Sequence, residues 1–227
     1  QLWGNPLYNW KALKRTGYRW WMDRLRAMGE IFDLVRVDHF IGFANYYAIP
    51  HGSKTARWGN WRLGPGRHFF KQVKKQLPQL RIIAEDLGAV NTRVRKLLKY
   101  CGYPGMKVLS FAFTGEDDNI HLPKHVVRHS VFYTGTHDND TVLGWWEKAG
   151  AKEKAEAKRV MGMKKDDHIC DKMIETVLAS RANTAILPMQ DILHLPGDAR
   201  MNLPGTLGGN WLWRMKKGAA TPALAKW

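Results

Sequence analysis

Three acidic side chains stand where an apolar run of this sequence gives way to polar residues. Asp38 ends "LVRVDHF", Glu85 ends "RIIAEDLG", and Asp138 follows "VFY" in "VFYTGTHDN". An ionisable group at the end of a buried strand is costly to desolvate unless it is paired or put to use. Two carboxyl groups flanking one bond are the equipment of glycoside chemistry. One serves as nucleophile or base, and the other donates a proton from a raised pKa. A third can hold sugar hydroxyls and push the donor's pKa upward by repulsion between like charges. Arg36, two residues before Asp38, is placed to keep that carboxylate ionised. A plainer reading uses the same residues, with Arg36–Asp38 as a structural ion pair and Glu85 capping a helix that starts near Asn91. Generic spacing leaves both open.

The elements that must position these groups form a pattern. Apolar runs recur at 32–40, 80–88, 105–113, 129–139 and 182–193. Segments of helical character lie at 16–32, 66–77, 91–102 and 166–182, the third with Asn91 or Thr92 as N-cap and Gly102 beyond its end. Strands alternating with helices imply parallel β/α units, whose sites lie at the carboxyl ends of the strands. In an extended strand Arg36 and Asp38 share one face, and Val35 and Val37 the other. Ile83 and Glu85 likewise share a face.

Charge and composition narrow the classes. The chain has 227 residues, 44% of them hydrophobic, enough for a substantial core. Its formal net charge of +16 invites a nucleic-acid reading, with abundant aromatics in support. Much of the excess sits in "EKAGAKEKAEAKRVMGMKKDD" (147–167), where acidic residues alternate with lysines as on the outside of a helix. No RNP, KH or helix-turn-helix pattern accompanies it. Two cysteines, Cys101 and Cys170, make no disulfide framework and fit a reducing cytoplasm. The first residues lack the regions of a signal peptide, and no run approaches 18 apolar residues, so a membrane span is not expected. His121, His125 and His129 are spaced four apart, but Pro123 interrupts them and no acidic ligand joins them, so no metal site is assigned. No glycine-rich phosphate loop follows a strand, and no cofactor is expected.

Six segments taken together, "LWGNPLYNW", "LVRVDHFIGF", "IIAEDLG", "YPGMKVLSFAF", "VFYTGTHDNDT" and "ARMNLPG…GNW", closely resemble the amylomaltase or disproportionating-enzyme family (glycoside hydrolase family 77) of the α-amylase-like superfamily. The resemblance runs from residue 1 to about 215. It implies a 4-alpha-glucanotransferase acting on α-1,4-glucans, maltooligosaccharides and glucose. Asp38 would be the nucleophile, Glu85 the general acid and base, and Asp138 the group that grips hydroxyls of the −1 sugar. Arg36 and His137 match supporting residues of the nucleophile and the −1 sugar; Trp3 and Asn202 match positions that line the glucan groove. His39 would serve the acceptor side or pack against a neighbouring strand. Of the tryptophans in loop-like surroundings (Trp3, Trp58, Trp61 and Trp211), only Trp3 is assigned to the groove; Trp20, Trp21, Trp145 and Trp146 read as core.

The resemblance implies a (β/α)8 barrel, and such barrels typically take about 250 residues or more. Five strand runs correspond to the C-terminal five β/α units, an incomplete barrel, so the whole of 1–227 reads as the C-terminal part of a catalytic barrel. The missing N-terminal part is expected on the same polypeptide. The segment alone is then expected to transfer little, since an opened barrel leaves unpaired edges and a −1 subsite without one wall. Two alternatives stand beside this reading: a catalytically silent glucan-binding fragment and a basic nucleic-acid-binding protein.

Overall fold

The structure is a computed structural model that describes all residues of 1–227 except Gln1, Trp3, Ala89 and Trp227. The groove assignment of Trp3 therefore lies outside the described residues. The chain divides after Met106 into two compact units, each with its own core.

In the first unit, α1 (Trp10–Arg15) and α2 (Arg19–Ile31) lead into β1 (Val35–Val37). A turn at 38–40 and the short α3 (Ile41–Ala44) follow. Next comes an antiparallel hairpin of β2 (Asn45–Ala48) and β3 (Asn60–Leu63). After α4 (Gly66–Gln76), β4 (Ile82–Ala84) pairs in parallel with β1, in the register Val35↔Ile82, Arg36↔Ile83, Val37↔Ala84. The pairing extends past both strands, since Glu85 N donates to Val37 O and Phe40 N donates to Glu85 O. The loops that carry Asp38 and Glu85 are thus fixed side by side by backbone bonds. The hairpin is absent from the sequence expectation, because each strand is only four residues long, β2 shows no apolar alternation, and the alternation in β3 leaves Trp61 and Leu63 exposed instead of marking a buried face.

The helices form where the sequence places them. The α4 helix buries Phe69, Phe70 and Val73 and turns Lys71, Lys74 and Lys75 outward. Burying each Phe is worth about 1.5–3 kcal/mol. Phe40, Phe43, Phe69 and Phe70 pack with ring centroids 4.9–5.2 Å apart in four of their pairs, beneath the turn that holds Asp38. The α5 helix (Thr92–Cys101) starts as read: the Asn91 side chain accepts from Val94 N, and Gly102 ends the helix at φ +69°, the left-handed conformation that glycine adopts without a steric penalty. Asn91 is the cap, so Glu85 is released from that role. Asp86, on the opposite side of the loop, accepts from Met106 N at 2.7 Å and ties β4 to the incoming β5 (Gly105–Val108). A side chain at Gly105 would run into that carboxylate.

The second unit holds β6 (Ser130–Tyr133), α6 (Val142–Lys148), α7 (Ala151–Met161), α8 (Ile169–Leu178), β7 (Thr184–Ile186) and α9 (Met189–Ile192). β6 and β7 pair in parallel across the three intervening helices. The lysine-rich segment is a solvated helix as read: α7 buries only Ala157 and Met161, and Glu156 pairs with Arg159. Trp145 and Trp146 pack on this core, and Trp21 on the other. Trp20 does not follow its core assignment; it is 48% exposed and stands beside the Arg24 guanidinium. His121 to His129 form no shared helical face, because Pro123 starts a short 3-10 turn. Among the described residues no helix is long and apolar enough to cross a membrane.

Asp191 is the polar linchpin of the second unit. It is buried and accepts from Thr134 Oγ1 at 2.6 Å and from Val142 N at 2.8 Å, joining the end of β6 to the start of α6. Burial pushes its carboxyl above the usual carboxylate range, and the two donors pull it back. Asp191→Ala leaves both donors unpaired and is expected to cost about 2–4 kcal/mol. Asp191→Asn, which keeps one acceptor, should cost less. Urea denaturation of the two variants checks the order, and equal, small losses would refute it.

Candidate active site

The residues singled out in the sequence fall into two groups, one in each unit. In the first, Asp38 occupies the turn directly after β1, and Arg36 reaches forward from the strand to the same face. Arg36 Nη1 lies 2.8 Å from Asp38 Oδ1, and the Asp38 side chain is 76% exposed. The shared face deduced from strand alternation is therefore real, and the pair it predicts is formed. An exposed carboxylate held by a guanidinium presents its second oxygen to solvent, where an incoming electrophile would approach.

Glu85 is the opposite case, 8% exposed at the end of β4. His39 N donates to its Oε2 at 2.8 Å and Leu87 N to its Oε1 at 2.7 Å. Burial raises the Glu85 carboxyl above its ordinary value, and the negative charge of Asp38 adds to the rise. The two backbone donors and Arg36 act against it. The two carboxyls on adjacent strand ends are thus driven toward different tasks by their surroundings. His39 adopts φ +45°, an unusual left-handed conformation for a non-glycine residue, in the same turn whose amide reaches Glu85. Its ring is exposed and sits over Gly42, where an added Cβ would lie 2.8 Å from His39 Cδ2.

The second group is built on the turn after β6. Asn139 Oδ1 accepts from both the amide and the hydroxyl of Thr136 at 2.8 Å, closing the turn that presents His137 and Asp138. Asn202 Nδ2 donates to Asp138 Oδ1 at 2.6 Å, and His137 Nε2 lies 3.4 Å from Asp138 Oδ2. Asn202 N also donates to the His137 carbonyl. Asn202, read from a separate motif, is therefore a neighbour of His137 and Asp138. Two further residues belong with them. Arg200 donates to the backbone carbonyls of Asp138 and Asn202, and the Trp211 ring lies 5.2 Å from that of His137. Arg200 went unread because its contacts are to backbone, which leaves no side-chain signature; its place two residues before Asn202 was the only cue.

A family model described as 4-alpha-glucanotransferase matches residues 1–221. The chain belongs to the 4-alpha-glucanotransferase family. It is 48% identical over 225 residues to the 4-alpha-glucanotransferase of Streptococcus pneumoniae, covering 99% of this chain and 45% of the relative. It is 46% identical over 215 residues to the chloroplastic/amyloplastic 4-alpha-glucanotransferase of Arabidopsis thaliana, covering 95% of this chain and 37% of that one. Among solved structures it matches the amylomaltase from Streptococcus agalactiae in complex with acarbose, with a TM-score of 0.95 and 39% identity over all of this chain and 46% of the other. The chain thus spans about half the length of the bacterial 4-alpha-glucanotransferases it matches, and somewhat less of the plant one. Its fold class is the α/β barrel type of this family, with parallel strands separated by helices in each unit.

Proposed function

We propose that this chain, as the C-terminal part of a barrel (1–227), supplies the catalytic residues of a 4-alpha-glucanotransferase. The observation that carries the reading is the asymmetry of the first group: an exposed, guanidinium-paired Asp38 beside a buried Glu85 whose carboxyl is held toward its protonated form. Family membership supports the same roles. Asp38 attacks the anomeric carbon of an α-1,4-glucan. As that bond forms, the glycosidic C–O bond breaks and Glu85 gives its proton to the departing 4-oxygen. In the second step Glu85 takes the proton of an acceptor 4-hydroxyl, whose oxygen bonds to the anomeric carbon and releases Asp38. Arg36 orients the nucleophile. Asp138, steadied by Asn202, grips hydroxyls of the −1 sugar with His137, while Asn202 lines the groove and His39 serves the acceptor side. Transfer prevails over hydrolysis because a bound sugar reaches the intermediate at a high effective concentration. Donors and acceptors are maltooligosaccharides and glucose, and the N-terminal half present in relatives completes the site. Two buried free cysteines fit a cytoplasmic setting.

The test is disproportionation of maltotriose by a polypeptide that joins this chain to the N-terminal half found in its relatives. Glucose should appear together with maltodextrins longer than the donor. Activity should fall as pH rises through the Glu85 pKa, and that limb should lie above the ordinary carboxylate range because burial raises the group. Glucose and maltose without longer products would identify a hydrolase and overturn the reading.

A further inference from the structure

Outside both groups, α8 and the residues after α9 bring three metal-competent side chains together. His168 is the N-cap residue of α8, and Asp171 lies three residues on, so both face the same way. His194 follows the end of α9. Its Nε2 lies 2.7 Å from Asp171 Oδ1, and its ring stacks on that of His168 with centroids 4.1 Å apart and planes 12° from parallel. One donor atom from each of the three lies within 4.8 Å of the others. His194 holds φ +52°, a left-handed conformation uncommon outside glycine, at the turn that places its imidazole against α8. The cluster opens to solvent at His168.

We propose that His168, Asp171 and His194 bind a divalent transition-metal ion of the zinc class. Two imidazoles and one carboxylate suit zinc, cobalt or nickel, whereas magnesium and calcium prefer all-oxygen sites. Donors about 2.0–2.1 Å from a tetrahedral ion stand roughly 3.3 Å apart. The Asp171–His194 pair therefore opens by about half an ångström as the ion takes the place of the proton between them. Parallel rings point their lone pairs side by side, so His168 must rotate. It is exposed, and the bond it gives up, from Cys170 N to its Nδ1, is a long 3.3 Å. The ion would pin the start of α8 to the end of α9, with the neutral His194 ring carrying its proton on Nδ1 while Nε2 binds the metal. None of the three residues has a part in the proposed transfer reaction.

The untagged chain, stripped with a chelator, is titrated with Co2+ and then Zn2+. The expected result is one equivalent of cobalt with the visible absorption of a low-symmetry site, bleached by zinc, and a zinc-dependent rise in Tm. His168→Asn keeps an N-cap residue, and Asn tolerates the left-handed backbone in His194→Asn, so both variants should fold. Each should lose affinity about tenfold or more and the Tm rise with it. Unchanged binding in both variants would place the ion elsewhere and overturn the site, as would absent cobalt binding or an equal response to Mg2+.

Discussion

Asp38→Asn is expected to reduce transfer from maltotriose by about 10⁴-fold or more, the scale seen when a nucleophile is removed. The amide cannot form the ester to the anomeric carbon, yet it has nearly the shape of the carboxylate. The side chain is mostly exposed, so the change in stability should stay within about 0.5 kcal/mol. A loss of activity without a loss of fold is the signature, read by product analysis together with a denaturation curve. A second consequence is specific to this geometry: the variant removes one of the influences that raise the Glu85 carboxyl. Titration of Glu85 by NMR should therefore show a lower pKa than in the parent. Retained turnover in Asp38→Asn would refute the nucleophile assignment outright.

Glu85→Gln should cripple the same assay by about 10²–10⁴-fold, because the leaving oxygen departs without a proton. The two roles of this residue can be separated by the choice of donor. A maltosyl fluoride loses fluoride without help from an acid, so the first step should survive in the variant. The second step still needs the base and should stall. Intact-mass measurement should then find one maltosyl unit on the protein, and peptide mapping should place it on Asp38. Equal losses on both donors, with no adduct, would show that Glu85 is needed for structure instead of proton transfer.

Much of this was legible before any coordinates. Alternation along "VRVDHF" put Arg36 and Asp38 on one face, and the two are ion-paired. Asn91 and Gly102 announced both ends of α5 because capping is local chemistry. The unread parts are those decided by tertiary contact. The turn at His39 carries no glycine, so nothing in its sequence signals a left-handed residue or an amide donated to Glu85. The strands β2 and β3 are four residues each, lie either side of a loop at 49–59, and the short alternation in β3 leaves its apolar residues exposed. The last strand was read from an apolar run at 182–193 that in fact divides between β7 and α9, parted by Leu187 and Pro188, and Ile186 remains 39% exposed. His168, Asp171 and His194 are spread over 27 positions of the sequence, and only folding makes them neighbours.

The amide between residues 38 and 39 links the two carboxyl groups mechanically. Its carbonyl carbon belongs to Asp38, and its N–H grips Glu85. Any swing of the turn that carries one acid forward must lengthen or shorten the bond that favours the ionised state of the other. A single rigid peptide plane thus gears the position of one carboxyl to the basicity of its neighbour, with no moving side chain between them.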